Sequence, residues 1–316
     1  MSRKCLYCYQ LIEAEADFHE KCATDFFGMP AAPELPYSLE DMASLAKEVV
    51  ERSVAVPGVQ PKLSMSLIND AAGRSDGRLT VVGALGGNFI LKPPSPDYQE
   101  MPANEHATMR IAEAFGLNVV PSSLIRLQSG ELAYITRRID RRAGGDKVHM
   151  LDMFQITESF DKYRSSMERV GKAVAECSEN TLLDLVFLFE LTLFCFVTGN
   201  NDMHLKNFSL IKSNGGWVLA PAYDLLNVAV ANPQDTEELA LTLVGRKRKL
   251  TRENFESYGE GLGLNKRQVN GALNRLLRNR EKIGQWIGQS FLSPEKKEAY
   301  LEVVAMRYLV LFGAEE

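Results

Sequence analysis

Apolar positions recur along this chain at two different spacings, and the switch from one to the other divides it. In Leu63-Ser-Met-Ser-Leu67 apolar and polar residues alternate, which is the period of a half-buried strand. Apolar runs at Leu79–Val82, Phe89–Lys92, Val119–Leu127 and Leu132–Thr136 read as further strands. Pro93-Pro94 stops one of them, and Gln128-Ser-Gly130 forms a turn between the last two. Two helices interrupt this half. Ser38–Arg52 opens on a capping serine with Glu40 and Asp41 in its first turn, and Asn104–Phe115 ends at Gly116. After Arg142 the spacing becomes helical over residues 151–176, 180–198 and 251–312, with one short strand around Trp217-Val-Leu219. The pattern predicts an α+β fold of two lobes, a β-rich N-lobe over 31–140 and an α-helical C-lobe over 141–316. Pro30, Pro33 and Pro36 mark a linker that sets residues 1–30 apart.

Composition narrows the classes without choosing among them. With 316 residues the chain has room for two lobes, and 45% hydrophobic with 24% charged residues is the balance of a soluble globular protein. A formal net charge of −5 gives no reason to expect non-specific nucleic-acid binding. The greasiest stretch, Leu182–Val197, contains Asp184 and Glu190 and is short for a membrane span, so it reads as a buried helix. The first residues lack an apolar signal region, and five cysteines, an odd count, argue against a secreted disulfide framework. A cytoplasmic protein without membrane attachment is expected.

The chemistry concentrates just after that apolar helix, in Gly199-Asn-Asn-Asp202-Met-His204-Leu-Lys-Asn207, followed by Pro221-Ala-Tyr223-Asp224. Asp202 and Asn207 have the spacing of a kinase catalytic loop, in which the Asp orients the attacking hydroxyl and the Asn binds a metal. Asp224 stands where a second carboxylate would chelate Mg²⁺, a hard cation that takes oxygen ligands. The pair alone is weak, because Asp and Asn are also ordinary turn residues. His204, between the two, is placed for a phosphate contact or for capping a turn, and Tyr223 for packing on a nucleotide or in the core. In the first half, Lys92 ends an apolar strand, where it could reach ATP phosphates or simply face solvent, and Glu105 in the following helix could pair with it. The loop Val56-Pro-Gly58-Val-Gln60-Pro-Lys62 lies where a phosphate-covering loop belongs, but matches no glycine-rich motif.

Taken together, S-V-A-V-P-G-V-Q-P-K (53–62), F-I-L-K-P-P (89–94), N-E-H (104–106), N-D-M-H-L-K-N-F-S (201–209) and P-A-Y-D-L-L (221–226) resemble the HipA family of serine/threonine kinase toxins, in the family's order. The resemblance implies a two-lobed kinase-like fold related to protein and phosphatidylinositol kinases. It implies that Gly58, Gln60 and Lys92 serve the ATP phosphates, with Glu105 beside Lys92 and His204 close by. It makes Asp202 catalytic and Asn207 and Asp224 the Mg²⁺ ligands. The stretch Thr136-Arg137-Arg138-Ile139 is similar to the hinge that receives adenine through its backbone, departing from the family at Arg137, where a Glu is common. The chain is short at its beginning and resembles the HipT-type members that lack an N-terminal subdomain. Where the family carries an autophosphorylated serine three residues before the loop glycine, this chain has Ala55, which leaves Ser53. The implied substrate is a protein, an aminoacyl-tRNA synthetase or another translation factor. The implied partners are a small N-subdomain-like protein and a DNA-binding antitoxin, with DNA engaged only through the latter. The same residues would also serve a small-molecule or lipid kinase, and the fold would serve a non-catalytic binding module.

Cys5-x2-Cys8 and His19-x2-Cys22 offer three thiolates and an imidazole, a ligand set for a structural zinc ion. The same residues are also consistent with unligated cytosolic cysteines and a chance histidine.

Overall fold

The structure is a computed structural model that describes residues 3–12, 15–52, 62–68, 77–83, 86–98, 100–142 and 145–313. Ser53, Ala55, Gly58 and Gln60 of the expected phosphate-covering loop lie outside the described residues. The chain divides into two compact units, one of Met1–His106, Val120–Asp146 and Gln289–Phe291, the other of Ala107–Val119, Lys147–Gly288 and Leu292–Glu316.

The first unit opens with two short strands, β1 (Arg3–Lys4) and β2 (Leu11–Ile12), and the helix α1 (Glu20–Phe27). After α2 (Leu39–Arg52) come β3 (Leu63–Ile68), β4 (Arg78–Val82), β5 (Phe89–Lys92), the helix α3 (Met101–Ala114), β6 (Ser122–Arg126) and β7 (Leu132–Arg137). The unit boundary falls inside α3, between His106 and Ala107. Five strands form one antiparallel sheet in the order β4-β3-β5-β7-β6. Its register follows the sequence alternation: Leu63 pairs with Leu91 and Leu91 with Ile135, and all three are buried. That register also puts Lys92 opposite Tyr134. Ser38 caps α2 as its sequence predicts, since the Asp41 N–H donates to Ser38 Oγ and Ser38 N–H to Asp41 Oδ2.

The second unit contains β8 (Met150–Asp152), α4 (Met153–Ile156), α5 (Met167–Cys177), α6 (Thr181–Val197), β9 (Ser209–Ser213), β10 (Gly216–Leu219), α7 (Val228–Ala231), α8 (Arg252–Gly261), α9 (Lys266–Arg278), α10 (Arg280–Gln289) and α11 (Pro294–Phe312). Its centre is α6, whose residues Leu188, Phe189, Leu191, Leu193, Phe194, Phe196 and Val197 are all buried. Asp184 is no exposed interruption of that helix. Its carboxylate accepts from Ser178 Oγ at 2.5 Å and Leu219 N–H at 2.6 Å, tying the start of α6 to β10. No helix among the described residues is long and apolar enough to cross a membrane.

Two expectations need correction here. Residues 151–176 are not one helical stretch. Asp152 caps the single turn of α4, the Thr157 hydroxyl donates to Met153 O at 2.6 Å, and Glu158 takes a φ of 48°, so the helix stops. A new cap at Ser166, accepting from Arg169 N–H at 3.2 Å, starts α5. The strand before Trp217 was not expected. It pairs through an Asn214-Gly215 turn with φ of 48° and 98°, a two-residue hairpin between Ser213 and Gly216.

Candidate active site

The loop leaving α6 is held by hydrogen bonds to its own backbone. Gly199 has a φ of 66°, and a Cβ there would lie 2.8 Å from both Asn227 Oδ1 and Val303 Cγ1, so glycine is required. Its carbonyl accepts from Val228 N–H and Ala229 N–H at 3.0 and 3.1 Å. Asn200, fully buried, donates its amide N–H to Cys195 O at 2.8 Å and its carboxamide to Asp224 O at 3.5 Å. The next turn centres on the Asp202 carbonyl, which accepts from His204 N–H at 2.8 Å and from Asn207 Nδ2 at 2.9 Å. Spending its nitrogen on that bond fixes the Asn207 carboxamide and leaves its oxygen as the ligand atom a cation would use. Asp202 and Asn207 are thus brought together by a direct bond, at the spacing read from sequence.

The Asp202 side chain accepts from the Tyr163 hydroxyl at 2.7 Å. Burial and the neighbouring Asp202 carboxylate push the Tyr163 phenol up, so it stays a donor at neutral pH. Tyr163 also stands edge-on to the His204 ring, at 5.0 Å between centroids. Sequence reading missed Tyr163, because it sits in an irregular stretch with no period and no motif. The His204 imidazole is buried, and burial pulls its pKa below the ordinary 6.5 despite the Asp202 carboxylate. Its Nδ1 has no hydrogen-bond partner among the described residues.

Asp224 has a φ of 57°, a left-handed conformation that a non-glycine residue takes only when its surroundings enforce it. The enforcing contacts flank it: Ala222 N–H donates to Asn118 O at 2.8 Å, and the Tyr223 hydroxyl bonds Ser209 Oγ at 2.5 Å and Lys206 O at 3.0 Å. The structure therefore places Tyr223 as a brace between β9 and the Asp202 loop. Burial pushes its phenol up as well.

In the first unit, Lys92 Nζ and Glu105 Oε1 are 2.5 Å apart, with side-chain exposures of 4% and 1%. That is a buried ion pair rather than a strand-end lysine facing water. Lys92 also lies 5.2 Å from the centroid of the Tyr134 ring. At the end of β7, the Arg137 guanidinium donates to Phe26 O and, at 2.8 Å, to Asp25 O, so it is committed to the last turn of α1. Ile139 is half-buried in the following turn. Arg138, read from sequence only as part of the hinge-like stretch, binds Asp140, Ser64 Oγ and Gly86 O through its side chain, and so links β7 to β3 and to the segment before β5.

Cys5, Cys8, His19 and Cys22 converge, with their ligand atoms all within 4.8 Å of one another. His19 Nδ1 is 3.4 Å from Cys8 Sγ and 3.8 Å from Cys22 Sγ, and its Nε2 meets Leu11 O at 3.1 Å.

Comparison with known proteins gives a consistent picture. The family model described as "HipA-like C-terminal domain" matches residues 54–283. A Haemophilus influenzae protein named "Putative kinase" is 28% identical over 310 residues, covering 88% of each chain. The serine/threonine-protein kinase toxin HipA of Shewanella oneidensis is 24% identical over 273 residues, 78% of this chain, which spans 60% of that relative's length. Among solved structures, the HipA, HipB and operator DNA complex of the Shewanella oneidensis MR-1 toxin–antitoxin system includes a chain that superposes with a TM-score of 0.69. That match has 23% identity and covers 88% of this chain and 72% of the other, so the α+β fold is that of a HipA-type kinase. With 54–283 matched, the greater part of its length, the chain belongs to the HipA-like C-terminal domain family.

Proposed function

We propose that the protein transfers the terminal phosphoryl group of ATP to a serine or threonine hydroxyl of a protein, as the toxin of a toxin–antitoxin system. The observation that carries this reading is the bond from Asn207 Nδ2 to the Asp202 carbonyl, with Asp224 held at positive φ by the same region of the fold. Asp202 orients the acceptor hydroxyl and takes its proton. The Asn207 carboxamide oxygen and the Asp224 carboxylate are oxygen donors suited to Mg²⁺, which when bound neutralises charge on the phosphate oxygens. Lys92, kept in place by Glu105, provides a fixed positive charge for phosphate, and buried His204 offers a neutral ring nitrogen. Gly58 and Gln60 belong to the covering loop of this reading, and Ser53 is the loop hydroxyl available for self-phosphorylation. The backbone around Ile139 is the seat for adenine, while Arg137 secures α1 instead of reaching the base. The relative named a serine/threonine-protein kinase toxin supports a protein as substrate, for which a translation factor such as an aminoacyl-tRNA synthetase is our reading, and the HipA–HipB–DNA complex supports a DNA-binding antitoxin as partner.

The test compares phosphoproteins in cells expressing the parent or Asp202→Asn. New phosphoserine or phosphothreonine sites should appear with the parent only, and the purified variant should lose transfer by several orders of magnitude while melting at the parent temperature. Equal phosphorylation by both proteins would refute the assignment.

A further inference from the structure

The segment Arg3–Gly28 has only two two-residue strands and one eight-residue helix, and its small core rests on Cys5, Leu6 and a few ring contacts such as Phe18–Phe27 and Phe26–Phe27. In such a segment a bound metal contributes much of the folding energy. We propose that Cys5, Cys8, His19 and Cys22 bind one structural zinc ion, and that this ion sets the position of the Glu105 helix through Tyr9 and His106.

The ligand geometry supports the first part. The 3.4 and 3.8 Å separations from His19 Nδ1 to Cys8 and Cys22 match the edge of a zinc tetrahedron, roughly 3.5–3.8 Å for bonds of about 2.0–2.3 Å. His19 Nε2–H donates to the Leu11 carbonyl, which fixes the tautomer that leaves Nδ1 free to ligate. The knuckle between the first two cysteines is closed by Tyr9 N–H to Cys5 O at 3.0 Å, with Tyr9 at a φ of 66°. Four protein ligands leave no open position, so the ion would be structural.

The second part follows from what the knuckle touches. Held at positive φ by the turn, Tyr9 sends its hydroxyl to His106 Nδ1 at 2.8 Å, and its ring stands edge-on to His106 and Phe291 at 5.2 and 5.4 Å. His106 is fully buried and immediately follows Glu105, the partner of Lys92. From the other side of the cluster, α1 places Phe26 and Phe27 against Phe89 of β5, the strand that ends in Lys92, at 5.8 and 6.1 Å. The cysteine segment is therefore linked to the residue after Glu105 through Tyr9, and to the strand that ends in Lys92 through Phe26 and Phe27.

Protein purified without chelator should contain one zinc per chain by elemental analysis, and a cobalt-exchanged sample should show the absorption of tetrahedral thiolate coordination. Cys8→Ser with Cys22→Ser should remove the metal. The chain has four histidines, so side-chain nitrogen NMR can follow each one. Chelation should shift His19 and His106, and Tyr9→Phe should keep one zinc while shifting His106 alone. A metal-free protein with all four ligands intact overturns the proposal. So does a zinc-loaded protein whose His106 signal is unmoved by chelation and by Tyr9→Phe.

Discussion

The Tyr163 hydroxyl donates to the Asp202 carboxylate at 2.7 Å, so the side chain proposed to receive the substrate's proton is oriented by a phenol that titrates far above neutral pH. Tyr163→Phe removes that donor and little else, because Tyr163 is 40% exposed. Losing one hydrogen bond to a charged group, about 1.5 kcal/mol, should lower the phosphorylation rate about tenfold, with the melting temperature nearly unchanged. Steady-state kinetics on a protein substrate would check this, and a faster variant would mean that the phenol obstructs the site. Glu105 carries the opposite balance of stability and exposure. Glu105→Ala would remove the carboxylate that lies 2.5 Å from the buried Lys92 ammonium, a loss of about 3–5 kcal/mol measurable by denaturant titration. Lys92→Met, which removes the charge itself, should cost clearly less, and equal losses would show that the pair is not desolvated.

At the scale of elements, the end of β7 is held by the side chains of Arg138 and Asp140. Arg138 spans Asp140 at 2.8 Å, Ser64 Oγ at 3.0 Å and Gly86 O at 2.9 Å. Burial opposes the Asp140 carboxylate, but Arg138 and Arg141 outweigh it and hold its pKa below the ordinary 3.8. Its folded pKa is therefore depressed, so its contribution is complete above pH 3.8 and is lost as pH falls through the folded value. Asp140→Asn should cost about 2 kcal/mol near pH 7 and flatten stability against pH below about 4, as acid titrations of both proteins would reveal. Elements with a clear period were legible in sequence. Phe89–Lys92 has the predicted bounds, and α6 covers Thr181–Val197 against an expected 180–198. The Asp202–Asn207 spacing was legible because one turn fixes it, and the Cys/His cluster because its ligands come in two close pairs. Residues 157–166 were not, because side-chain bonds of Thr157, Ser159 and Asp161 shape that stretch rather than any repeat. Tyr163 was hidden there, and the Arg138 link was hidden because its partners are far apart in sequence.

Over the whole molecule, the second unit depends on α6 for its core. Phe189 is fully buried, lies 6.0 Å from the Tyr258 ring and also touches the space beside Gly259. Phe189→Ala should destabilise that unit by about 3–5 kcal/mol, seen as an earlier thermal transition. How that transition is recorded matters, because the chain has two tryptophans, and both Trp217 and Trp286 belong to the second unit. An emission melt will thus register Phe189→Ala directly, while the first unit, with Lys92, Glu105 and the cysteine cluster, has no indole of its own. A tryptophan in place of Phe27, within the aromatic cluster beside the cysteines, would give that unit an indole of its own, and the change it adds to the emission melt would follow that unit.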